Sequence, residues 1–409
     1  MEAQSAWERP DANMNRNLLL LTLCQGLFFT NNVTFIAING LVGLQLAPLG
    51  WMATLPIMAY VGGGALAAPL VARHQRRYGR KTCFQLGLGV AFVAAALCAL
   101  AAALRSFPLL LLATVLAGYY NANGALYRFA AIEVVDLAYK ERAISWVLTG
   151  GILGGVLGPN LAAATRDLMP QPFTGAYLAL MVVALLAWGV MRRIQFPPLL
   201  ESNPAAAPGR TLRELAQQPT FVVAIVAAAL SYGVMNLLMA ATPIAMQQCN
   251  HPFSAAALVL EVHVLAMFVP SFFTGHLIRR VGVLPVMTTG ALLTLGCVLF
   301  ALSGDDVMHF AGALGALGVG WNFLYIGGTT LFTETYRANE KTTAQAAMDT
   351  SVLGTMAFTS FSSGALVTTG GWSLMNLGTL VPITASALAL MWLARVRARV
   401  RAQSAGAAP

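Results

Sequence analysis

Charged residues are scarce in this sequence: Asp, Glu, Lys and Arg together make up 10% of its 409 residues. A soluble domain usually carries about 25% of these residues, because its surface has to be solvated. Apolar residues instead account for 58% of the chain, and the mean hydropathy is +0.70. This composition excludes a soluble globular protein and predicts an integral membrane protein.

Motifs of several other protein classes are also missing. There is no Gly-x-x-x-x-Gly-Lys-Ser/Thr phosphate loop, which argues against a function driven by ATP. There is no His-x-x-x-His or Gly-x-Ser-x-Gly motif, and the five histidines form no cluster in the sequence. The five cysteines include no Cys-x-x-Cys pair, so neither a disulfide framework nor a metal site is indicated. We therefore expect no enzyme activity, no metal and no cofactor.

Long apolar runs are what the sequence has in abundance. A helix that crosses a bilayer needs about 20 apolar residues. Twelve runs are long enough, and their continuous apolarity favours helices over barrel strands. They are residues 17–46, 51–71, 82–104, 108–131, 143–165, 173–191, 219–246, 254–278, 283–302, 307–332, 343–368 and 372–394.

The positions of Lys and Arg orient these runs. If the N-terminus is cytoplasmic, only Arg105 and Arg166 of the 24 Lys and Arg residues fall on the outer side. The positive-inside rule therefore predicts a multi-pass membrane protein with both termini in the cytoplasm. The net charge of +9 is explained by the inner loops, and no nucleic-acid partner is expected.

A basic stretch occurs once in each half of the chain. Residues 72–81 hold five cations, and the same pattern returns at 275–284 after a shift of 203 positions, which superimposes Gly79 on Gly282. Such a repeat predicts two pseudo-symmetric six-helix bundles in an all-α membrane protein. The predicted parts are a cytoplasmic tail at 1–16, a bundle at 17–192, a linker at 193–218, a second bundle at 219–394 and a cytoplasmic tail at 395–409.

The two basic stretches are predicted to form a cytoplasmic gate. In each half an acidic residue ends the fourth apolar run, so we expect Arg77 to contact Glu133. By the same reasoning we expect a second ion pair between Arg280 and Glu334. The predicted gate comprises Arg77, Gly79, Arg80, Glu133, Arg280, Gly282 and Glu334.

Polar and aromatic side chains inside the apolar runs are candidates for a solute cavity. Amide side chains at membrane depth need partners, which are either neighbouring helices or a cavity. Tyr119, Asn123 and Tyr127 follow one helical stripe, which indicates either cavity lining or packing between helices. The cavity candidates are Asn31, Asn32, Tyr119, Asn123, Tyr127, Asn236, Trp321, Asn322 and Tyr325.

Glu261, His263 and Asp349 are ionisable residues within the apolar runs of the second half. Ionisable groups at membrane depth are functional candidates by default. Glu261 and His263 lie on opposite faces of one helix, and Asp349 lies about two turns into another. All three are candidates for proton coupling. The alternatives are a hydrogen bond between helices for His263 and a contact with the helix dipole for Asp349.

Glycines recur every fourth residue in the fifth run. Gly150, Gly154 and Gly158 make a smooth face that a neighbouring helix can approach closely. Pro159 follows directly and favours a kink.

Taken together, these features resemble the major facilitator superfamily of secondary transporters along the whole chain. Its loop between helices 2 and 3, Gly-x-Leu-x-Asp-Arg-x-Gly-Arg-Lys, is matched at Arg77, Gly79, Arg80 and Lys81. The glycine run ending in Pro159 is similar to the helix-5 motif of its antiporters. Three departures from the family pattern stand out: Ala72 replaces the first glycine of the loop, Arg76 replaces the usual Asp, and Ala113 stands in place of a mid-membrane Arg.

The resemblance implies a transporter that works by alternating access between two six-helix halves. We expect a proton-coupled monomer in the lipid bilayer that moves a small organic solute, with the helix-5 motif favouring export. A proton-driven importer of a metabolite or vitamin is the alternative. Aromatic and amide side chains suit a neutral, amphipathic or aromatic solute. A non-transporting receptor or a membrane enzyme is the alternative of a different class.

Overall fold

The computed structural model describes residues 12–135, 140–196 and 209–406. Within these ranges all the regular structure is helical. The helices are α1 Ala12–Leu46, α2 Leu55–Tyr78, α3 Arg80–Ala103, α4 Phe107–Gly124, α5 Tyr127–Glu133, α6 Lys140–Thr165, α7 Thr174–Arg192, α8 Leu212–Leu215, α9 Pro219–Gln248, α10 Phe253–Phe268, α11 Ser271–Val281, α12 Val283–Ser303, α13 Val307–Thr333, α14 Lys341–Thr369 and α15 Gly371–Gly406. Parts of the predicted tails and linker (1–11, 197–208 and 407–409) lie outside these ranges.

The helices agree with the twelve predicted apolar runs. In the described part of the chain, ten helical segments are long and apolar enough to cross a membrane, and the bent pair α10–α11 adds an eleventh. The remaining run, residues 343–368, corresponds to α14, which is 29 residues long. This helix is rich in Ser and Thr, and it is not among the helices that meet the length and hydropathy criterion. The prediction of an all-α membrane fold is therefore confirmed.

Two predicted runs are broken in the structure. The fourth run divides into α4 and α5 at Ala125–Leu126, and the eighth divides into α10 and α11 beside Pro270. The pattern of apolar residues continues through both breaks, so it did not reveal them.

The described residues form two compact units. Unit 1 contains those up to Leu46 and those from Ala59 to residue 196, and unit 2 contains Ala47–Met58 and everything from residue 209 onward. The core of unit 1 is built from α1 and α3–α7, around buried Phe28, Phe84 and Tyr127. The core of unit 2 joins α9 to α12–α15, and the buried Leu215 of α8 packs into it.

Glycines let α1 and α6 pack closely in unit 1. A Cβ atom at Gly150 would lie 2.4 Å from the Thr22 carbonyl oxygen, and one at Gly154 would lie 2.3 Å from the Cβ of Phe29. Gly158 contacts the same helix, and Pro159 lies inside the uninterrupted α6. The predicted close approach of a neighbouring helix is therefore present, and α1 is that helix.

The segment before α2 packs within unit 2. Thr54 is fully buried, and its hydroxyl donates to the Ser360 carbonyl oxygen at 2.6 Å while accepting from the Gly364 amide at 2.8 Å. A Cβ atom at position 364 would lie 2.5 Å from the Thr54 hydroxyl. Glycine at 364 therefore admits this side chain against the backbone of α14.

Candidate functional site

Three aromatic rings meet on one side of unit 2. Trp321 and Tyr325, one turn apart on α13, stack with ring centroids 5.0 Å apart and planes 11° apart. Tyr232 of α9 meets both rings edge-on, at 5.3 and 5.2 Å. These separations are typical of favourable aromatic pairs. Trp321 is buried while both tyrosines keep part of their surface exposed, and we call these three residues the aromatic cluster.

A polar group lies one turn from the aromatic cluster along α9. The side-chain amide nitrogen of Asn236 is 2.8 Å from the Ser360 hydroxyl oxygen, 3.0 Å from the Thr359 hydroxyl oxygen and 3.1 Å from the Met356 carbonyl oxygen. Its two hydrogens are therefore shared among three acceptors on α14. Asn236 is buried, whereas Thr359 is only partly buried. This arrangement sets amide and hydroxyl groups beside flat aromatic rings.

A second polar group lies in unit 1. The side-chain nitrogen of Asn32 donates to the Tyr60 hydroxyl at 3.1 Å and to the Asn121 carbonyl oxygen at 3.4 Å, joining α1, α2 and α4. Asn32 and Asn121 are partly exposed, whereas Tyr60 is buried. The neighbouring Asn31 is also buried. Of the two predicted asparagines, Asn32 therefore has the exposed polar surface that a solute contact needs.

The predicted stripe on the fourth run packs inside unit 1. Asn123 is fully buried, where it donates to the Tyr119 carbonyl oxygen and accepts from the Cys83 thiol at 3.3 Å. The Tyr119 hydroxyl is 2.8 Å from Nδ1 of His74. Tyr127 begins α5 beyond the break and is fully buried against aromatic rings of α1 and α3. In this structure these side chains pack between helices, which is one of the two alternatives given for the stripe, and their role in lining a cavity stays a prediction.

Asn322 occupies a comparable buried position in unit 2. It is fully buried and bonds to Met267, Ser271 and Thr274, all on the broken eighth run. These contacts place Asn322 at the helix break, and its contact with a solute stays a prediction.

The proposed proton carriers lie in three different environments. His263 is fully buried, and its Nδ1 donates to the Leu314 carbonyl oxygen at 2.8 Å, because that oxygen can only accept. This bond is the hydrogen bond between helices that the sequence analysis gave as the alternative role for His263. Glu261, on the same helix, is partly exposed, and Asp349 on α14 is exposed.

The two basic turns have the same backbone. Gly79 has φ 81° and ψ 164°, and Gly282 has φ 93° and ψ 162°, a region that only glycine adopts readily. In both turns the glycine amide donates to the carbonyl oxygen four residues earlier. The glycine turn predicted from the repeat is therefore present twice.

The ion pairs at these turns differ from the predicted ones. Glu133 accepts two bonds from Arg80, at 2.7 and 2.5 Å, and Arg77 is exposed. In unit 2 Glu334 pairs with Arg397 of α15 at 2.7 Å, and Arg280 is exposed. Both predicted pairings are wrong for one physical reason. The arginines before each glycine end a helix with their side chains in solvent, whereas Arg80 begins α3 beside α5.

A carboxylate that the sequence analysis missed anchors the end of the linker. The Glu340 side chain is 1% exposed and accepts from the backbone amide, Nε and Nη2 of Arg210, at 2.7 to 3.0 Å. The amide of Arg337 also donates to it, and Arg210 reaches the Thr335 carbonyl oxygen. The hydrogen bonds from Arg210 are the main reason why the pKa of Glu340 lies well below its usual value.

Known proteins resemble this chain along most of its length. The sequence model of the Major Facilitator Superfamily matches residues 18–235 and 224–409. The chain belongs to the Major Facilitator Superfamily. This membership makes it a multi-pass membrane transporter of small molecules and not an enzyme.

Two members of this superfamily have similar sequences. The chain is 38% identical over 363 residues to riboflavin transporter RfnT of Brucella anthropi, which covers 88% of this chain and 91% of that protein. It is 26% identical to the uncharacterized MFS-type transporter YdeG of Bacillus subtilis, with 84% of each chain covered.

Solved structures of superfamily members have the same fold. The nucleoside transporter NupG aligns with a TM-score of 0.70 at 12% identity, covering 92% of this chain and 98% of that one. A bacterial homologue of the lysosomal transporter Spinster aligns with a TM-score of 0.73 at 17% identity, covering 95% and 98%. At these identities the likeness supports the fold alone.

Several residues of these groups were not among the predicted site residues. Tyr232 precedes Asn236 by four positions and therefore lies on the same face of α9, a spacing that could have revealed it. Asn121 and Tyr60 had no comparable signal. Their importance depends on which helices become neighbours.

Proposed function

We propose that this transporter takes up riboflavin, or a similar solute that joins a flat aromatic ring system to hydroxyl groups. The observation that carries the proposal is the aromatic cluster of Tyr232, Trp321 and Tyr325. A planar heterocycle gains about 1–3 kcal/mol for each base-like ring that stacks on an aromatic side chain. The partly exposed rings of the two tyrosines offer such surfaces.

Polar groups near the aromatic cluster suit the rest of such a solute. Thr359 of α14 bonds to Asn236, which lies one turn from Tyr232, and it offers a partly exposed hydroxyl group. Amides and hydroxyls both donate and accept hydrogen bonds, as the hydroxyls of a sugar-like chain require. The similarity to the riboflavin transporter RfnT supports the same solute class.

Uptake is proposed as the direction of transport. The helix-5 glycines favour export by resemblance, but in unit 1 they serve the packing of α1 against α6, a role that is compatible with either direction. The similarity to RfnT supports the importer alternative. We further propose alternating access by a monomer in the bacterial inner membrane, with both termini cytoplasmic and protons as the coupling ion.

An uptake assay tests the solute. The protein is expressed in bacteria that can neither make nor import riboflavin, and accumulation of labelled riboflavin is measured. We expect accumulation above that of cells with an empty vector, competed by flavins and not by nucleosides. Tyr232→Leu should raise KM about tenfold by removing one stacking ring, whereas Tyr232→Phe should keep a KM near that of the unmodified protein. Cells that accumulate no more riboflavin than the empty-vector control would refute the proposal.

A second assay tests the coupling ion. In proteoliposomes an imposed inward proton gradient should accelerate uptake. Glu261→Gln and Asp349→Asn should reduce this gradient-driven uptake more than they reduce exchange of solute across the membrane, because exchange needs no net proton movement. Equal losses in both assays would argue against proton transfer through those carboxylates.

A further inference from the structure

The eighth membrane segment is broken where its two parts meet. α10 ends at Phe268 and α11 begins at Ser271, and their axes differ by 41°. Pro270 has no amide hydrogen, so it cannot continue the helical ladder. The amides of Phe272 and Thr274 bond to the carbonyl oxygens of Val269 and Pro270, which restarts the ladder on the other side of the break.

One side chain from a different helix holds both parts. The Asn322 amide nitrogen of α13 donates to the Met267 carbonyl oxygen and to the Ser271 hydroxyl oxygen, each at 2.7 Å. The Asn322 carbonyl oxygen is 2.6 Å from the Thr274 hydroxyl, which is also 2.8 Å from the Pro270 carbonyl oxygen. Asn322 therefore bonds to the last turn of α10, to the first residue of α11 and to the turn that follows.

The hydrogen-bonded group around Asn322 is buried, so the loss of one of its bonds is costly. Asn322 and Thr274 are both fully buried. A buried donor or acceptor that loses its partner destabilises the conformation concerned, because no water replaces the bond. A change in the angle between α10 and α11 must break or exchange these bonds. The bonded set thus favours one bend angle over others.

The same helix, α13, carries two of the three residues of the aromatic cluster. Trp321 precedes Asn322 directly, and Tyr325 follows it by three residues. At its other end α11 leads through exposed Arg279 and Arg280 into the turn at Gly282. Asn322 therefore links α13 to α11, the helix that leads into the basic turn.

We propose that Asn322 is a positioning residue that sets the angle of the broken helix α10–α11 during transport and does not bind the solute. A rotation or shift of α13 on loading the aromatic cluster changes the bonds that Asn322 makes, and α11 moves with them. The inference rests on the transport function of the superfamily and not on the identity of the solute.

A distance measurement tests the angle directly. Spin labels are placed at exposed Leu258 on α10 and exposed Val281 on α11, in variants of the full-length protein. Asn322→Asp keeps the size of the side chain but removes both donors. Thr274→Val removes the hydroxyl, and Thr274→Ser retains it as the matched control. We expect a narrow distance distribution in the unmodified protein and in Thr274→Ser, and a shifted or broadened one in the other two variants.

Transport kinetics separate positioning from solute binding. With riboflavin as the solute, Asn322→Asp and Thr274→Val should lower the maximal rate about tenfold while KM stays within about twofold. Thr274→Ser should keep the maximal rate of the unmodified protein. If Asn322→Asp does not fold, the comparison of Val with Ser at position 274 decides.

Two results would overturn the inference. One is a set of distance distributions that superimpose for all variants, and the other is a raised KM with an unchanged maximal rate. If the unmodified protein does not transport riboflavin, the proposed solute is wrong, but the label distances still decide the role of Asn322.

Discussion

The two basic turns share a backbone and differ in what holds them. In the first, Arg80 and Lys81 follow the glycine, and they bond to Glu133 and to the Arg192 carbonyl oxygen. Arg80 also reaches the Gln75 side chain at 2.8 Å. In the second, the residues that follow Gly282 are Val and Leu, which can form no such bonds.

This difference shows that duplication preserved the turn and not its contacts. In unit 2 two acidic residues form ion pairs with arginines outside the basic turn. Glu340 pairs with Arg210 of the linker, and Glu334 pairs with Arg397 of α15. The first turn is thus clamped to its own bundle through several side chains. In the second unit the corresponding charges hold the linker and the last helix, and the turn itself has fewer bonds.

The largest effect is expected where the two turns are alike. Gly79→Ala and Gly282→Ala should each lower the free energy of unfolding by about 1–3 kcal/mol, because the backbone at both positions is one that only glycine tolerates. A Cβ atom at 79 would contact nothing, so the effect is purely conformational there. Denaturation of the purified protein in detergent measures it.

A control for the two glycine variants lies in α3, the helix that begins directly after Gly79. Gly89 is in the interior of α3, and a Cβ atom there would also contact nothing. Gly89→Ala should be neutral or stabilising by up to about 1 kcal/mol, because alanine favours a helix over glycine. Equal stabilities for the variants at 79 and 89 would show that the turn relaxes without strain.

The second-largest effect on stability should differ between the two turns. Arg80→Ala should cost about 1–2 kcal/mol, because it leaves Glu133 and Gln75 without a charged donor in a partly buried site. Arg280→Ala, at an exposed position, should stay within about 0.5 kcal/mol. The same denaturation measurement applies, and exchanging the charges of Arg80 and Glu133 should recover part of the loss. Similar costs at both arginines would contradict the comparison.

The sequence predicted the features that depend on local chemistry. Long apolar runs and a repeated glycine are sufficient to infer the helices, the duplication and the turns at Gly79 and Gly282. Ion-pair partners were beyond such reasoning, because several arginines lie within reach of each acid and only packing selects one. The same limit applies to Asn322, whose partners lie on a helix break that the pattern of apolar residues did not locate.

A third effect should be confined to the linker. The pKa of Glu340 is lowered, so the stabilising contribution of its ionised form is present above the ordinary value of 4.5 and is lost only as the pH falls through the lower folded value. Protection of the backbone amides of residues 209–218 against hydrogen exchange should therefore be unchanged between pH 7.5 and 5.5. Glu340→Gln should reduce this protection at both pH values, whereas Lys341→Gln, at the exposed neighbouring position, should not. Protection that falls between pH 7.5 and 5.5 in the unmodified protein would contradict this assignment.

The smallest effect is expected at the pair that replaces the predicted contact of the second turn. Arg397 and Glu334 meet at 2.7 Å, but the Glu334 side chain is 49% exposed. Exposed pairs contribute little, because water and salt screen the charges. Arg397→Ala should therefore change the free energy of unfolding by less than about 0.5 kcal/mol, and the change should vanish at high salt. A cost as large as that of Arg80→Ala would mean that the pair of Arg397 and Glu334 stabilises unit 2 as much as the pair of Arg80 and Glu133 stabilises unit 1. The two units would then differ only in which helix supplies the arginine.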